Sequence, residues 1–435
     1  MKEIKLPEDF LMGTATSGLQ IEGCDTNNNW YKWCEEGHIQ DGSNCVNAAD
    51  HWNRYEEDIN IMEELNHDIY RMGLEWSRIE PEKGHFSSSG LEHYRKEIEG
   101  LLEKGIKPLV TLHHFSHPLW LVEEGGWENP QMVDYFKRYT EHVVNNLGDL
   151  VSEWITINEP NVFLFNGYLE GIWPPGKTSM SGFLKALRNM IKAHIESYRS
   201  IHGVRKKSGY HGVTKVGVAN HLRVFQPERD RLLDRVPASL MSYMFQDLVM
   251  DAMTSGKMKF PLGVGHYPLG RGKFYDFIGI NYYTRDIIQF EINPAMMFGQ
   301  LKVKEDSQVN DLGWEIYPEG IYRLSKKYHQ RYKAPIYITE NGICDNEDDQ
   351  RSRFIYNHLQ QISRAIDEGI PIERYYHWSL LDNFEWLEGE SARFGLVHIN
   401  YQTQERTIKE SGLFYGEICK KKAVTTDMIN RYIRG

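Results

Sequence analysis

Two acidic residues stand out by their setting. Glu340 closes a short β-branched and aromatic run, Tyr337-Ile338-Thr339, and the turn pair Asn341-Gly342 follows at once. Glu159 is placed in the same way, at the end of Glu153-Trp154-Ile155-Thr156-Ile157-Asn158 and directly before Pro160. A strand that stops at an acid and turns holds the carboxyl at the strand mouth, where a substrate can reach it. Two such acids facing each other can divide a reaction between them if one is charged while the other keeps its proton. Two carboxylates that merely cap helices would not need this shared context.

Holding the two acids together requires a scaffold of repeated units. Strand-like runs fall at residues 11–16, 68–74, 107–112, 154–158, 215–220, 277–281, 336–339 and 374–378. Helical patterns lie between them at 50–65, 91–104, 132–147, 184–200, 237–254, 317–332 and 351–368. The alternation predicts parallel βα units, and eight strands is the number that closes a parallel barrel. The expected fold is α/β, a (β/α)8 TIM barrel forming one domain over residues 1–435. The basic, glycine-containing stretch 201–214 reads as an exposed connection, and the weakly patterned stretch 287–308 as a long loop near the active face. Barrels place their chemistry at the carboxyl ends of the strands. Gln20, Arg78, His114, Asn158, Asn281, Tyr283 and Trp378 all fall there beside the two acids.

Composition narrows the class without choosing it. The 435 residues are 40% hydrophobic, enough for a large core, and the net charge of −11 argues against nucleic acid or an anionic membrane as partner. The first ten residues show no apolar stretch with a small-residue cleavage site, and no run is long and apolar enough to span a membrane. The five cysteines, Cys24, Cys34, Cys45, Cys344 and Cys419, are odd in number and contain no C-x-x-C, which suits reduced thiols in a cytoplasmic protein. Their spacing also argues against zinc. In His113-His114-Phe115-Ser116-His117, adjacent strand positions point to opposite faces, so that cluster is not read as a metal site either. A homo-oligomer remains open.

The two acid segments resemble the Thr-x-Asn-Glu-Pro and Thr-Glu-Asn-Gly signatures of family 1 glycoside hydrolases, the retaining β-glucosidase and β-galactosidase family. The similarity runs from about Phe10 to about Tyr415. It implies a retaining exo-β-glycosidase with no cofactor or metal, acting on a small β-glycoside. Such chemistry places two carboxyls about 5–5.5 Å apart; the resemblance makes Glu340 the nucleophile and Glu159 the acid/base. Arg78, in Trp76-Ser77-Arg78-Ile79, and Asn281 would support the nucleophile, and Tyr283 would donate to it. Gln20, His114 and Asn158 would bind sugar hydroxyls. The run His377-Trp378-Ser379-Leu380-Leu381-Asp382-Asn383-Phe384-Glu385-Trp386 matches the family nearly residue for residue. It implies Trp378 as the floor of the sugar site, with Glu385 and Trp386 at its outer hydroxyls. Trp173 and Trp314 would line the aglycone side. An aromatic content of 12% suits a sugar-stacking protein but also an ordinary core.

Three departures and three rivals follow. Phe115 stands where the family has Trp, losing an indole N–H; Trp173 replaces a smaller or His residue; and Cys344 lies in an altered stretch after Gly342. A 6-phospho-β-glucosidase of the same fold is the first rival, but Glu385 would oppose a phosphate at the 6-position. A non-catalytic sugar-binding barrel would be expected to lack one of the two acids. A metal-dependent sugar isomerase would need a clustered carboxylate and His shell. The expected glycone is glucose, with galactose or fucose tolerated.

Overall fold

The computed structural model describes residues 1–268, 270, 272–293 and 297–433. Eight parallel strands close into a barrel: β1 (Leu11–Ala15), β2 (Ile69–Gly73), β3 (Lys107–Thr111), β4 (Glu153–Asn158), β5 (Lys215–His221), β6 (Ile278–Asn281), β7 (Ile336–Asn341) and β8 (Ile372–Trp378). Each pairs with its neighbours in sequence, and β8 closes the ring on β1 through registers from Arg374↔Leu11 to Trp378↔Ala15. The TIM-barrel fold expected from the alternation is therefore present. The strands lie within a residue or two of their expected bounds, because β-branched and aromatic runs bounded by turn residues leave little else for those segments to be.

Alternation along each strand divides the core in two. Tyr70 and Met72 of β2 pack outward against the helices, while Ile69 and Arg71 face the barrel axis. The axis is filled at the amino-terminal end by Ile69, Leu109, Ile155, Phe277 and Tyr337, with the last two rings stacked at 4.1 Å. Above this plug the interior becomes polar. Arg71, Thr111, Asn158, Asn281 and Thr339 bond to one another across the axis and form the base of the site.

Strict alternation would turn Glu340 the wrong way, because Ile336 and Ile338 pack outward. A register shift lies between Ile338 and Asn341 on the β8 side and opposite Ile280/Asn281 on the β6 side. That shift re-aims Glu340 into the barrel, as bulges do next to active sites. β4 carries the same device between Ile155 and Asn158, before the second acid. The Asn-Gly pair also proves to be more than a turn. β7 runs through Asn341, and a side chain on Gly342 would collide with the Trp378 carbonyl, so glycine is needed for close approach.

Two connections differ from their sequence reading. The long helix between β4 and β5 spans Met180–Ser208 and takes in most of the expected exposed stretch 201–214. Arg205 is the reason: its guanidinium is buried and donates to the carbonyls of Gly148, Val151 and His211, so a basic residue serves as an internal clamp. Gly209 then ends the helix in a left-handed cap. The expected loop 287–308 contains an antiparallel pair, Arg285–Phe290 with Gly299–Lys302, whose residues 294–296 lie outside the described chain. No helix among the described residues is long and apolar enough to cross a membrane.

Candidate active site

A cavity of 160 Å³ opens at the carboxyl ends of the strands, lined by His114, Phe115, Glu159, Trp173, His221, Tyr283, Trp314, Glu340, Trp378, Glu385 and Trp386 among others. Glu340 is almost fully buried. Its Oε1 accepts from Arg71 Nη1 at 2.5 Å and its Oε2 from the Tyr283 hydroxyl at 2.6 Å. The same Arg71 donates through Nη2 to Asn158 Oδ1 at 2.6 Å and through Nε to Thr111 Oγ1 at 3.1 Å. This guanidinium fixes the nearby acceptors around one fork.

Glu159 sits one residue beyond β4, at the start of the short helix Pro160–Leu164, with φ of 39° in the left-handed region. A non-glycine residue held there is strained, and such strain is retained where surroundings over-determine it. Its Oε1 accepts from Asn281 Nδ2 at 2.8 Å and lies 3.2 Å from His221 Nδ1. Among the described residues no arginine or lysine makes an ion pair with Glu159, while Glu340 has Arg71 directly.

That difference sets the electrostatics of the two acids apart. Burial pushes both carboxyls up to about 7, opposed at Glu340 first by Arg71 and at Glu159 first by the Asn281 hydrogen bond. Their mutual repulsion makes them titrate as a pair. Arg71 and the Tyr283 hydroxyl bond Glu340 directly and favour its charged form, while Arg71 acts on Glu159 only through its charge.

Glu385 belongs to a polar wall of the cavity. Glu385 Oε2 accepts from Asn383 Nδ2 at 2.7 Å and from Gln20 Nε2 at 3.3 Å, and Gln20 also donates to the Phe384 carbonyl at 2.9 Å. Burial raises the Glu385 carboxyl to about 8. Asn158 Nδ2 donates to His114 Nε2 at 2.8 Å, so the His114 proton is on Nδ1; burial and Arg71 keep the ring neutral. His114 lies against Trp378 and Trp386, with centroids 5.7 and 5.9 Å apart. Trp386 in turn meets Trp30, Phe115 and Trp173 at 4.7, 4.9 and 5.8 Å. Trp314 stands on the other side, 6.0 Å from Tyr283.

Gln20, His114, Asn158, Tyr283, Trp378, Glu385, Trp386, Trp173 and Trp314 thus converge with the two acids on one site. Two expected supports of Glu340 do not hold. Arg78 lies on the short helix Trp76–Ile79 that follows β2, which carries it off the axis; its Nε donates to Glu22 Oε2 at 2.6 Å and its guanidinium covers the Trp52 ring at 3.8 Å. Arg78 anchors the helix Gly18–Glu22 that bears Gln20, and Arg71 takes the place beside Glu340. Asn281 donates to Glu159 and Asn158 and accepts from Thr339 Oγ1 at 2.6 Å, so it supports the other acid. Arg71 carried a signal of its own: a charge inside the buried run Ile69-Tyr70-Arg71-Met72-Gly73 must find a partner. His221 and Arg223 were also missed, and a lone His at a strand end gives no comparable signal. Among the described residues no group of three or more His, Cys, Asp or Glu side chains could hold a metal ion.

A buried pair of carboxyls, one of them held by an arginine, above the strand ends of a parallel barrel and walled by polar and aromatic groups, defines a glycosidase site. The sequence profile of Glycosyl hydrolase family 1 matches residues 2–262 and 270–424. Beta-glucosidase A of Thermotoga maritima is 34% identical over 97% of this chain and 99% of its own. The beta-glycosidase from Pyrococcus horikoshii superposes with a TM-score of 0.92 at 38% identity, covering 100% of this chain and 99% of that one. The beta-glucosidase from Thermotoga maritima in complex with glucoimidazole superposes with a TM-score of 0.88 at 33% identity, covering 97% and 100%. The chain belongs to glycosyl hydrolase family 1, and it is a retaining glycoside hydrolase acting on O-glycosyl bonds.

Proposed function

We propose that this enzyme removes single β-linked glucose units from the non-reducing end of small glycosides, with Glu340 as nucleophile and Glu159 as acid/base. The Glu340 carboxylate attacks C1 and forms a glycosyl ester, while the bond from C1 to the leaving oxygen breaks and Glu159 passes that oxygen its proton. Forming the ester removes the negative charge of Glu340 from beside Glu159, which favours the ionised form of Glu159, so Glu159 can then take a proton from water. The water oxygen attacks C1, the ester bond breaks, and Glu340 returns as a carboxylate beside Arg71. Asn158, fixed by Arg71 and His114, serves the 2-hydroxyl, whose contacts tighten in the transition state.

The observation that carries the glucose reading is Glu385, an acceptor locked by Gln20 and Asn383 in the wall of the cavity that holds both acids. It can bridge the outer hydroxyls of a hexose. A phosphate there would need cations, and Arg393, the cation downstream, is engaged by Asp382 Oδ2 at 3.3 Å and the Ile399 carbonyl at 2.9 Å. The cytoplasm is the proposed location, supported by an odd count of five cysteines.

Initial rates on 4-nitrophenyl β-glucoside, galactoside, fucoside, xyloside and 6-phosphoglucoside test this. Glucoside turnover should lead and the 6-phosphoglucoside should trail. A rate confined to the phosphorylated sugar would overturn the role given to Glu385.

A further inference from the structure

Two residues that hold Glu159 have no part in the chemistry above. His221 ends β5, and Arg223 follows just before the strand Val224–Pro227. Arg223 Nε donates to His221 Nε2 at 2.8 Å, and an arginine nitrogen has no acceptor role. The imidazole is therefore an acceptor at Nε2 and carries its proton on Nδ1, which faces Glu159 Oε1 at 3.2 Å. A second proton on the ring would oppose the guanidinium N–H, so His221 works only as a neutral donor; burial and the charge of Arg223 press the same way.

The arginine is itself fixed in place. Its main-chain N–H donates to Gln246 Oε1 at 2.9 Å, and Gln246 Nε2 donates back to its carbonyl at 3.0 Å. Its guanidinium lies 3.4 Å from Asp286 Oδ2 and 5.7 Å from the Phe245 ring. Asn281 Nδ2 reaches the same Oε1 of Glu159. With two N–H donors aimed at it from β5 and β6, Oε1 is an acceptor in either charge state, and the acid proton is left Oε2. The charged and titratable groups around Glu159 are Arg71 from β2, Glu340 from β7, Tyr283 after β6 and Arg223 after β5, with Asp286 behind Arg223.

We propose that Arg223 and His221 are positioning residues that act as a relay: Arg223 selects the imidazole tautomer, and the selected Nδ1–H pins the proton of Glu159 to Oε2 and steadies its carboxylate for the second half-reaction. The inference rests on Glu159 being the acid/base. Neither residue reacts; both act through Glu159. A donor on Oε1 favours the charged carboxyl, so its removal raises the pKa of Glu159 and moves the basic limb of kcat/KM to higher pH.

The test compares cellobiose, whose sugar leaving group needs a proton, with 2,4-dinitrophenyl β-glucoside, whose leaving group does not. His221→Ala should lower kcat/KM for cellobiose by about tenfold or more, the worth of one hydrogen bond to a charged group. It should leave the dinitrophenyl value within about threefold, a bound taken as less than one neutral hydrogen bond, and should move the basic limb upward. Arg223→Leu should act in the same direction but more weakly, since the ring can then take either tautomer. His221→Asn, whose amide can stand in for Nδ1–H, should restore most of the cellobiose rate and serves as the folded control. Equal losses on both substrates with an unmoved basic limb would make the pair mere packing and overturn the proposal. Glu159→Gln separates the two readings. If it loses both substrates equally, Glu159 is not the acid/base; if it spares the dinitrophenyl glucoside while His221 and Arg223 variants leave the limb in place, only the relay fails.

Discussion

The two acids sit in one cavity but are held by opposite means. Glu340 lies on a strand, turned inward by a register shift, with an arginine on one oxygen and a phenol on the other. Glu159 lies just off a strand in a left-handed backbone, with an amide and a neutral imidazole on the same single oxygen. The first niche stabilises charge, and the second tolerates either state. Burial raises both carboxyls similarly, so the roles proposed for them rest on the partners. A covalent nucleophile must stay ionised until it reacts, whereas an acid/base must cross its pKa twice in a turnover.

The harshest way to break the contrast is to remove the charge from the first niche. Glu340→Gln keeps the shape of the side chain and removes the carboxylate proposed to attack C1. Turnover of 4-nitrophenyl β-glucoside should fall by on the order of 10⁴-fold or more, as when other covalent nucleophiles are deleted. The loss should be the same for every leaving group. Glu159→Gln should cost about 10²–10⁴-fold on substrates whose leaving group needs a proton, the usual worth of general acid–base catalysis. It should cost far less in kcat/KM on the dinitrophenyl glucoside. Matching profiles in the two variants would mean that the two niches do not divide the work.

Arg71→Met sharpens the comparison at the level of pH. In the proposed mechanism active enzyme needs Glu340 charged and Glu159 protonated, so the acid limb of kcat/KM should follow Glu340. Without its guanidinium partner the charged form of Glu340 is less favoured, its pKa rises, and the acid limb should move upward and narrow the bell. Stability should fall by about 3–5 kcal/mol, the cost of breaking a buried ion pair from one side. Arg78→Met is the control. It breaks the pair with Glu22 and frees the helix that carries Gln20, so it should weaken sugar binding and leave the acid limb unmoved. Measured pH profiles of the two variants decide which arginine serves the nucleophile.

That choice marks where the sequence was legible and where it was not. The eight strands and the convergence of Gln20, Asn158, Trp378 and Glu385 with the two acids could be read, because periodicity and strand-end position are local properties. Arg78 was misread because its motif is local while its partner is not: one turn of helix after β2 swings it to Glu22. Arg71 lay in plain view as a charge in a buried strand, but which of the facing strands supplied its partner depends on closure of the ring. Asn281 was assigned to the wrong acid for a related reason. The register shift at Ile280/Asn281 sets which neighbour its amide meets, and a one-residue shift leaves no mark in composition. The length of the helix to Ser208 was hidden because Arg205 reads as surface charge until carbonyls are seen around it.

Asn281→Leu offers the finest cut between the niches. The change is close to isosteric and removes a donor from Glu159 without touching Glu340, Arg71 or Tyr283 directly. One N–H on a carboxylate is worth roughly 1.5–3 kcal/mol, about one to two pKa units, and His221 still donates to the same oxygen, so the basic limb should rise by about one unit or less. The acid limb should hold. The amide also takes the Thr339 hydroxyl and meets Asn158, so about 1–3 kcal/mol of stability should go with it as those groups lose their partner. A melting curve beside the pH profile separates the two costs. If the acid limb moves instead, Asn281 serves Glu340 through Asn158 and Arg71 after all, and the two niches are coupled through that shared network.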